Sequence, residues 1–238
     1  MNELEVTPPS AFSATTVATA ERVTAFLRKV YGWMFVGLGI TATVALGVSS
    51  SPGIVQALVQ NKFLFWGLFI AELGLVFYLS ARVEKIAPAT ASGLFLLYSA
   101  LNGVTLSLIL LVYTGTSIAT TFAVTAGMFG ALALYGTTTK RSLAGVGQFM
   151  FMGLIGLILA SLVGMFVKSD GLQFVISVVG VLVFTGLTAW DAQRLKAMAV
   201  AVPEGRLGSY AVVGALALYL DFINLFLFLL RFLGGRRD

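Results

Sequence analysis

The sequence predicts an all-α membrane protein, a bundle of seven transmembrane helices. The chain is 58% apolar and only 11% charged, with a mean hydropathy of +0.97, which leaves too little polar surface for a soluble globular protein. It also divides into seven apolar windows, each near the length of about 20 residues that a helix needs to cross a bilayer. In chain order the windows are residues 31–48, 63–80, 89–112, 118–136, 147–167, 172–190 and 209–233.

Short breaks separate these windows. They read SSSPG at 49–53, RVEKIAP at 82–88, YTGTS at 113–117, TTTKRS at 137–142, KSDG at 168–171 and PEGRLG at 203–208. Gly, Pro and small polar residues mark turns between periodic segments. We therefore expect one domain at 25–235, preceded by a disordered or interfacial tail at 1–24 and followed by a short basic tail at 236–238.

The basic residues orient the bundle, because cytoplasmic loops of membrane proteins are enriched in Lys and Arg. Ten of them lie in the N-terminal segment and alternate loops, against Lys62 and Lys168 on the other side. The N-terminus is therefore expected in the cytoplasm. A full crossing of the seventh window puts Arg236 and Arg237 outside, whereas a re-entrant loop keeps them inside. Its twenty-five residues suffice for a full crossing, which we expect. The ten basic residues assigned to the cytoplasmic side are Arg22, Arg28, Lys29, Arg82, Lys85, Lys140, Arg141, Arg194, Lys196 and Arg206.

Composition also removes several classes of function. The chain has no cysteine and no histidine, so disulfides, thiolate chemistry and imidazole metal ligands are excluded, and any pH response must come from carboxylates. The net charge of +5 is scattered between apolar runs, which is unlike a nucleic-acid-binding patch. No phosphate-binding loop, zinc-ligand spacing or nucleophile elbow is evident. We expect neither an enzyme nor a resident cofactor.

Four charged residues lie within or next to the apolar windows: Glu72, Arg82, Asp191 and Asp221. Asp221 is at the middle of the seventh window, where a charge costs roughly 2.5–3.5 kcal/mol on insertion scales, so such residues usually face a protein interior or a water cavity. Glu72 is near the middle of the second window. With Asn224, one turn beyond Asp221, it is a candidate for an ion pathway.

Asp191 has two candidate partners. Arg82 is expected at a similar depth, and an ion pair would offset part of the desolvation of both groups. Asp221 is the other candidate if the sixth helix continues past Asp191 through the apolar AMAVAV at 197–202. The stripe of Ser177, Gly180, Phe184, Thr188 and Asp191 faces one way, and that of Gly214, Ala217, Asp221 and Asn224 likewise shares one face.

Two carboxylates in one low-dielectric site are expected to share a proton. Raising the pH removes that proton, adds repulsion, and favours separation of the sixth and seventh helices or entry of water and cations. Arg82 can then act as a latch that chooses between Asp191 and Asp221. The alternative is that these side chains only stabilise helix packing and that Arg82 extends to the lipid head groups. Asn102 and Gln148 are expected to form interhelical hydrogen bonds.

The segment LYLDFINLFLFLLRFLG at 218–234 closely resembles the C-terminal signature of the Bax inhibitor-1 family, the transmembrane Bax inhibitor motif proteins with their bacterial YccA-like members. TAWDAQRLK at 188–196 resembles the end of that family's sixth helix, and NGVTLSLI at 102–109 resembles its third. Glu72 falls where its second helix carries an acid. The resemblance covers residues 25 to 234.

The resemblance implies a bundle wrapped around a central C-terminal helix, and a pH-sensitive calcium leak channel gated by two aspartates. By motif these are Asp191 and Asp221, and the basic latch corresponds most nearly to Arg82. Trp190 stands where many relatives have tyrosine. Ca²⁺ is then the permeant ion, in transient contact with the two aspartates, because it prefers oxygen ligands.

The family resemblance further implies a multi-pass protein of the bacterial inner membrane, in contact with the lipid bilayer. Bacterial members are associated with a membrane protease, and eukaryotic members with suppression of cell death. The main alternative function is therefore a regulator that binds other membrane proteins without conducting ions. An intramembrane aspartyl hydrolase is disfavoured because no glycines flank Asp221, and proton-coupled transport because no inverted repeats are evident.

Overall fold

The computed structural model describes residues 11–167 and 169–237, and these form nine α-helices and one 3₁₀ turn. Seven helical segments are long and apolar enough to cross a membrane, which confirms the predicted fold class. The helices are α1 (Ala11–Ser49), α2 (Pro52–Gln60), α3 (Lys62–Arg82), α4 (Pro88–Leu106), α5 (Ile109–Val112), α6 (Gly115–Thr138), α7 (Ala144–Phe166), α8 (Asp170–Ala201) and α9 (Leu207–Leu233), with the 3₁₀ turn at Glu204–Arg206.

The residues at the breaks explain where the helices begin. The side chains of Asn61, Thr114 and Ser169 accept hydrogen bonds from backbone N–H groups in the first turns of α3, α6 and α8, which satisfies donors that have no partner within the helix. Proline opens α2 and α4, where its missing N–H costs nothing. The spans themselves are helical because a bilayer offers no water to satisfy the backbone.

The structure differs from the sequence prediction in four places. Residues 11–24, predicted as part of a disordered or interfacial tail, are helical as the first turns of α1, while residues 1–10, Lys168 and Asp238 lie outside the described residues. The short helix α2 lies in the first connection. The third span is interrupted after Leu106, where the N–H of Ser107 is shared between the carbonyls of Gly103 and Val104. The sixth span continues to Ala201, eleven residues beyond the predicted window.

The connections gather at two ends of the bundle. At one end Arg22 donates from Nε to the carbonyl oxygen of Ala199 at 2.8 Å and from Nη2 to that of Val202, so α1 caps the C-terminus of α8. At the other end the backbone after α9 pairs with the α5–α6 connection, from Arg237 N to Val112 O at 2.9 Å. Because α9 is unbroken between these ends, the seventh segment forms no re-entrant hairpin.

Helix α9 occupies the centre of the bundle. It contacts α1, α3, α4, α6 and α8, and 67% of its most apolar window is buried, against 11% for α3 and for α7. The outer helices expose large apolar side chains such as Phe63, Phe77, Phe149 and Phe166. Such a surface suits lipid rather than water. The central position of the C-terminal helix means that any polar group on it is surrounded by other helices.

Candidate functional site

Asp191 and Asp221 lie at the contact between α8 and α9. Asp221 is only 5% exposed, and Asp191, on the neighbouring helix, is half-buried. Close approach of the two helices depends on glycine: a Cβ built on Gly180 would lie 2.6 Å from the ring of Phe228 on α9, and one on Gly214 would overlap Leu195 on α8. The small residues on the two predicted stripes therefore lie in the α8–α9 contact.

The two carboxyl groups lie close enough to interact electrostatically across the contact of α8 with α9. Ionised carboxylates only accept hydrogen bonds, so a hydrogen bond between these two acids would need a proton on one of them. Within the described part of the chain, Oδ2 of Asp221 is buried and has no N–H or O–H donor from any other residue. A buried oxygen without a donor is costly, which makes Asp221 a candidate for holding a proton.

Arg194 is the basic residue that interacts with this pair, and it lies one turn after Asp191 on α8. Its positive charge acts on Asp191, and its guanidinium carbon lies 5.4 Å from the centre of the Trp190 ring. Arg82, the predicted latch, is instead exposed at the end of α3. Among the described hydrogen bonds and ion pairs, none joins Arg82 to either aspartate. Among the described residues, Asp191 therefore interacts with Asp221 and Arg194, and no such interaction is found for Arg82.

Glu72 is buried at a different place, 7% exposed, on the inner face of α3. Thr105 Oγ1 donates to its Oε1 at 2.6 Å, and Asn102 Nδ2 lies 3.5 Å from its Oε2. In the described residues no Lys or Arg lies within ion-pair distance of this carboxylate. Glu72 is thus satisfied by two polar side chains of α4 and is not joined to the aspartate pair.

The hydrogen bonds of Asn102 continue beyond Glu72 into the centre of the bundle. Tyr219 OH lies 3.1 Å from Asn102 Oδ1 and 2.6 Å from Thr41 Oγ1, and Thr41 Oγ1 lies 2.8 Å from the carbonyl oxygen of Ser99. Residues of α1, α3, α4 and α9 are therefore joined in one buried chain. Asn102 is an interhelical hydrogen-bonder as predicted, whereas Gln148 is exposed and has no described hydrogen bond.

Asn224, the other predicted pathway residue, is half-buried, and its amide nitrogen donates to Leu220 O at 2.8 Å within α9. Its side chain lines a cavity of about 520 Å³ between α3, α7, α8 and α9. Ser161, Gln173 and Arg231 are the other polar residues of that wall, and Arg231 Nη1 donates to Gln173 Oε1 at 3.3 Å. The cavity lies beyond Asp221 towards the C-terminal end of α9.

Sequence reasoning missed Thr41, Thr105, Tyr219 and Arg194. A partial signal exists for two of them, because Asn102 and Thr105 are three residues apart on one helical face and Tyr219 is a polar residue inside an apolar run. Thr41 gives no such signal, since hydroxyls in membrane helices usually bond to their own backbone, as Thr125 does to Thr121 O. Only the packing of α1 against α4 and α9 identifies it.

The chain is similar to other proteins over most of its length. A family model described as "Inhibitor of apoptosis-promoting Bax1" matches residues 23–238. The inner membrane protein YbhL of Escherichia coli K12 is 52% identical over 215 residues, covering 89% of this chain and 92% of that protein. A protein of Borreliella burgdorferi is 48% identical, covering 90% and 93%. A membrane protein of Streptococcus pyogenes serotype M1 is 41% identical, covering 90% and 93%. This chain is a multi-pass membrane protein and belongs to the Bax inhibitor-1 family.

Proposed function

We propose that this protein is a pH-sensitive leak pathway for cations, Ca²⁺ above all, gated by Asp191 and Asp221. The observation that carries the proposal is the electrostatic interaction between two acids on neighbouring helices, together with the buried Oδ2 of Asp221, which has no hydrogen-bond donor among the described residues. The residues are proposed to control passage and to catalyse no reaction. The end of the bundle that carries Arg22, Lys196 and Arg206 is proposed to face the cytoplasm.

The sign of the pH response follows from the charge of the pair. While one proton is shared, the acids attract each other and hold α8 against α9. As the pH rises the proton is lost, two negative charges lie in contact, and their repulsion favours separation of the helices. The separated carboxylates offer oxygen ligands to a cation, but a resident Ca²⁺ takes six to eight oxygens. Two acids therefore suit a passing ion better than a bound one.

The cavity beside Asn224 supplies a polar approach to the pair from the far end of α9. Asn224 is one helical turn from Asp221, so an ion in this cavity is one turn from the gate. Arg231 in the same wall carries a positive charge with no described carboxylate within ion-pair distance. That charge opposes cation entry, which suits a slow leak rather than a fast channel.

Calcium flux into liposomes tests the proposal. The purified protein is expected to pass Ca²⁺ faster as the pH is raised, and Asp191→Asn or Asp221→Asn is expected to abolish the pH dependence, because neither variant can form a doubly charged pair. Glu84→Gln is the matched control, since Glu84 is an exposed carboxylate at a bundle end and its loss leaves the pair intact.

A silent protein at every pH, which still binds a membrane protease, would favour the regulatory function over the leak. A pH-dependent flux that survives both aspartate substitutions would separate conduction from this pair and overturn the gate. Either result is decisive, because folding of each variant can be checked independently by its circular dichroism and thermal unfolding.

A further inference from the structure

The buried chain of hydrogen-bonded side chains that begins at Glu72 has fewer hydroxyl hydrogens than hydrogen-bond contacts to fill. Three contacts surround the hydroxyls of Thr41 and Tyr219: Thr41 Oγ1 to Ser99 O at 2.8 Å, Thr41 Oγ1 to Tyr219 OH at 2.6 Å, and Tyr219 OH to Asn102 Oδ1 at 3.1 Å. Each hydroxyl carries a single hydrogen. Two hydrogens cannot occupy three contacts at once, so the chain has more than one arrangement.

When Glu72 is ionised, every donor points towards it. Thr41 donates to Tyr219, Tyr219 donates to Asn102 Oδ1, and Asn102 Nδ2 donates to Glu72 Oε2. This arrangement leaves the contact from Thr41 to Ser99 O without a hydrogen. It satisfies a buried negative charge, because the carboxylate receives N–H and O–H donors from Asn102 and Thr105.

When Glu72 is protonated, the same atoms can be satisfied in the opposite direction. Turning the Asn102 amide by half a turn exchanges its donor and acceptor, so Glu72 donates to the amide oxygen and the amide nitrogen donates to Tyr219. Tyr219 then donates to Thr41, and Thr41 donates to Ser99 O. This arrangement uses the contact that the ionised arrangement leaves empty, and only hydrogens and one amide move.

We propose that Glu72 is a second proton-binding site of this protein, and that its proton reverses the donors along the chain Glu72–Asn102–Tyr219–Thr41. The reversal transmits the protonation state of Glu72, on α3, to the contact of α1 with α4 and α9. Tyr219 is two residues from Asp221 on the central helix, so the chain passes within one helical turn of the proposed gate, on a different face of α9. The inference does not depend on ion conduction.

Few other ionisable groups act on this site. Within the described structure α3 packs against α2, α4 and α9. Helix α2 carries no ionisable side chain. Helix α4 carries only Tyr98, which interacts electrostatically with Glu72. On α9, Tyr219 also interacts electrostatically with Glu72. The other ionisable groups of α9 interact elsewhere: Asp221 with Asp191, Arg231 with Gln173, and Tyr210 with Glu84. The proton at Glu72 is therefore controlled by the polar chain itself.

Infrared pH-difference spectroscopy tests the proposal. The full-length Asp191→Asn/Asp221→Asn protein in liposomes is the background, because it removes the other buried acids and makes the result independent of the leak. A carboxylic acid carbonyl band is expected that grows on acidification and disappears with Glu72→Gln. The absence of a band that Glu72→Gln removes would overturn the proton site.

Thr41→Val tests the coupling, because it removes the acceptor that Tyr219 needs only in the protonated arrangement. The midpoint of the Glu72 band is expected to move to lower pH by about 0.7 unit, since the protonated arrangement loses one more hydrogen bond than the ionised arrangement. Thr41→Ser, which keeps the hydroxyl, is expected to keep the original midpoint.

Thr125→Val is the matched control, because Thr125 is fully buried but donates only to Thr121 O of its own helix. Equal shifts of the Glu72 midpoint in Thr41→Val and Thr125→Val, or no shift in either variant, would overturn the proposed coupling along the hydrogen-bonded chain. Should Thr41→Val fail to fold, Thr41→Ala also lacks the hydroxyl and is expected to give the same shift. An unchanged midpoint in Thr41→Ala would then overturn the coupling.

Discussion

Replacing Gly103 by alanine tests the close contact of α1 with α4 that holds the buried chain together. A Cβ at Gly103 would lie 2.7 Å from the backbone oxygen of Thr41 and 2.9 Å from Val44 Cβ, against ordinary contacts of 3.4–4 Å. Because a backbone oxygen cannot rotate away, the two helices must separate by about 0.7 Å. Overpacking of this kind costs about 1–3 kcal/mol, which exceeds the gain of up to about 1 kcal/mol from replacing glycine in a helix.

The expected net loss is thus about 1–2 kcal/mol, or a fall in unfolding temperature of about 2–8 °C for a chain of this size. Thermal unfolding in detergent measures it. Gly93→Ala is the matched control in the same helix, because nothing lies within 4 Å of a Cβ at Gly93, and this variant is expected to be as stable as the parent or slightly more stable. If Gly103→Ala proves as stable as Gly93→Ala, the argument from close packing is wrong.

Two further predictions concern the cations around α8. Arg22→Gln removes the charged donor to the carbonyls of Ala199 and Val202. Thermal unfolding should show that the free energy of unfolding falls by about 1–2 kcal/mol, since charge-assisted hydrogen bonds are worth about 1.5–3 kcal/mol and this one is half-exposed. Arg28→Gln, at an exposed position, should change stability by less than about 0.5 kcal/mol, and equal losses would contradict the capping role. In the liposome assay, Arg194→Gln should move the midpoint of the flux to higher pH by about half a unit, because an exposed charge one turn away is worth about 0.2–1 kcal/mol. Arg82→Gln should leave that midpoint unchanged, and the reverse pattern would restore Arg82 as the latch.

Hydropathy locates the seven spans of this chain but not every helix end. The apolar windows coincide with the seven spans, and Asp221 was singled out by its position alone. The sixth window stops at Trp190 because Arg194 and Lys196 interrupt the hydropathy, and the helix continues to Ala201, as the apolar residues 197–202 allow. Lys196 reaches the carbonyl oxygen of Thr137 at 2.8 Å, so these cations extend from a helix that remains within the bundle.

The choice of partners was harder to predict than the spans. Arg82 and Asp191 were placed at similar depth by counting residues, yet the structure leaves Arg82 exposed and brings Asp191 to Asp221. Depth along a helix follows from a rise of about 1.5 Å per residue, but the direction in which a side chain points depends on the rotation of that helix in the bundle. No count of residues supplies that rotation.

For this protein the amino-acid sequence alone determined the number of spans, their order and the acids buried among them, because a bilayer obliges each apolar segment to satisfy its backbone within itself. That requirement is local and is visible in hydropathy. The tertiary structure decided which polar groups meet: Asp191 with Asp221, Arg22 with the end of α8, and Thr41 with Tyr219, 178 residues apart. These contacts arise from packing between helices far apart in the chain, and packing is a property of the whole bundle.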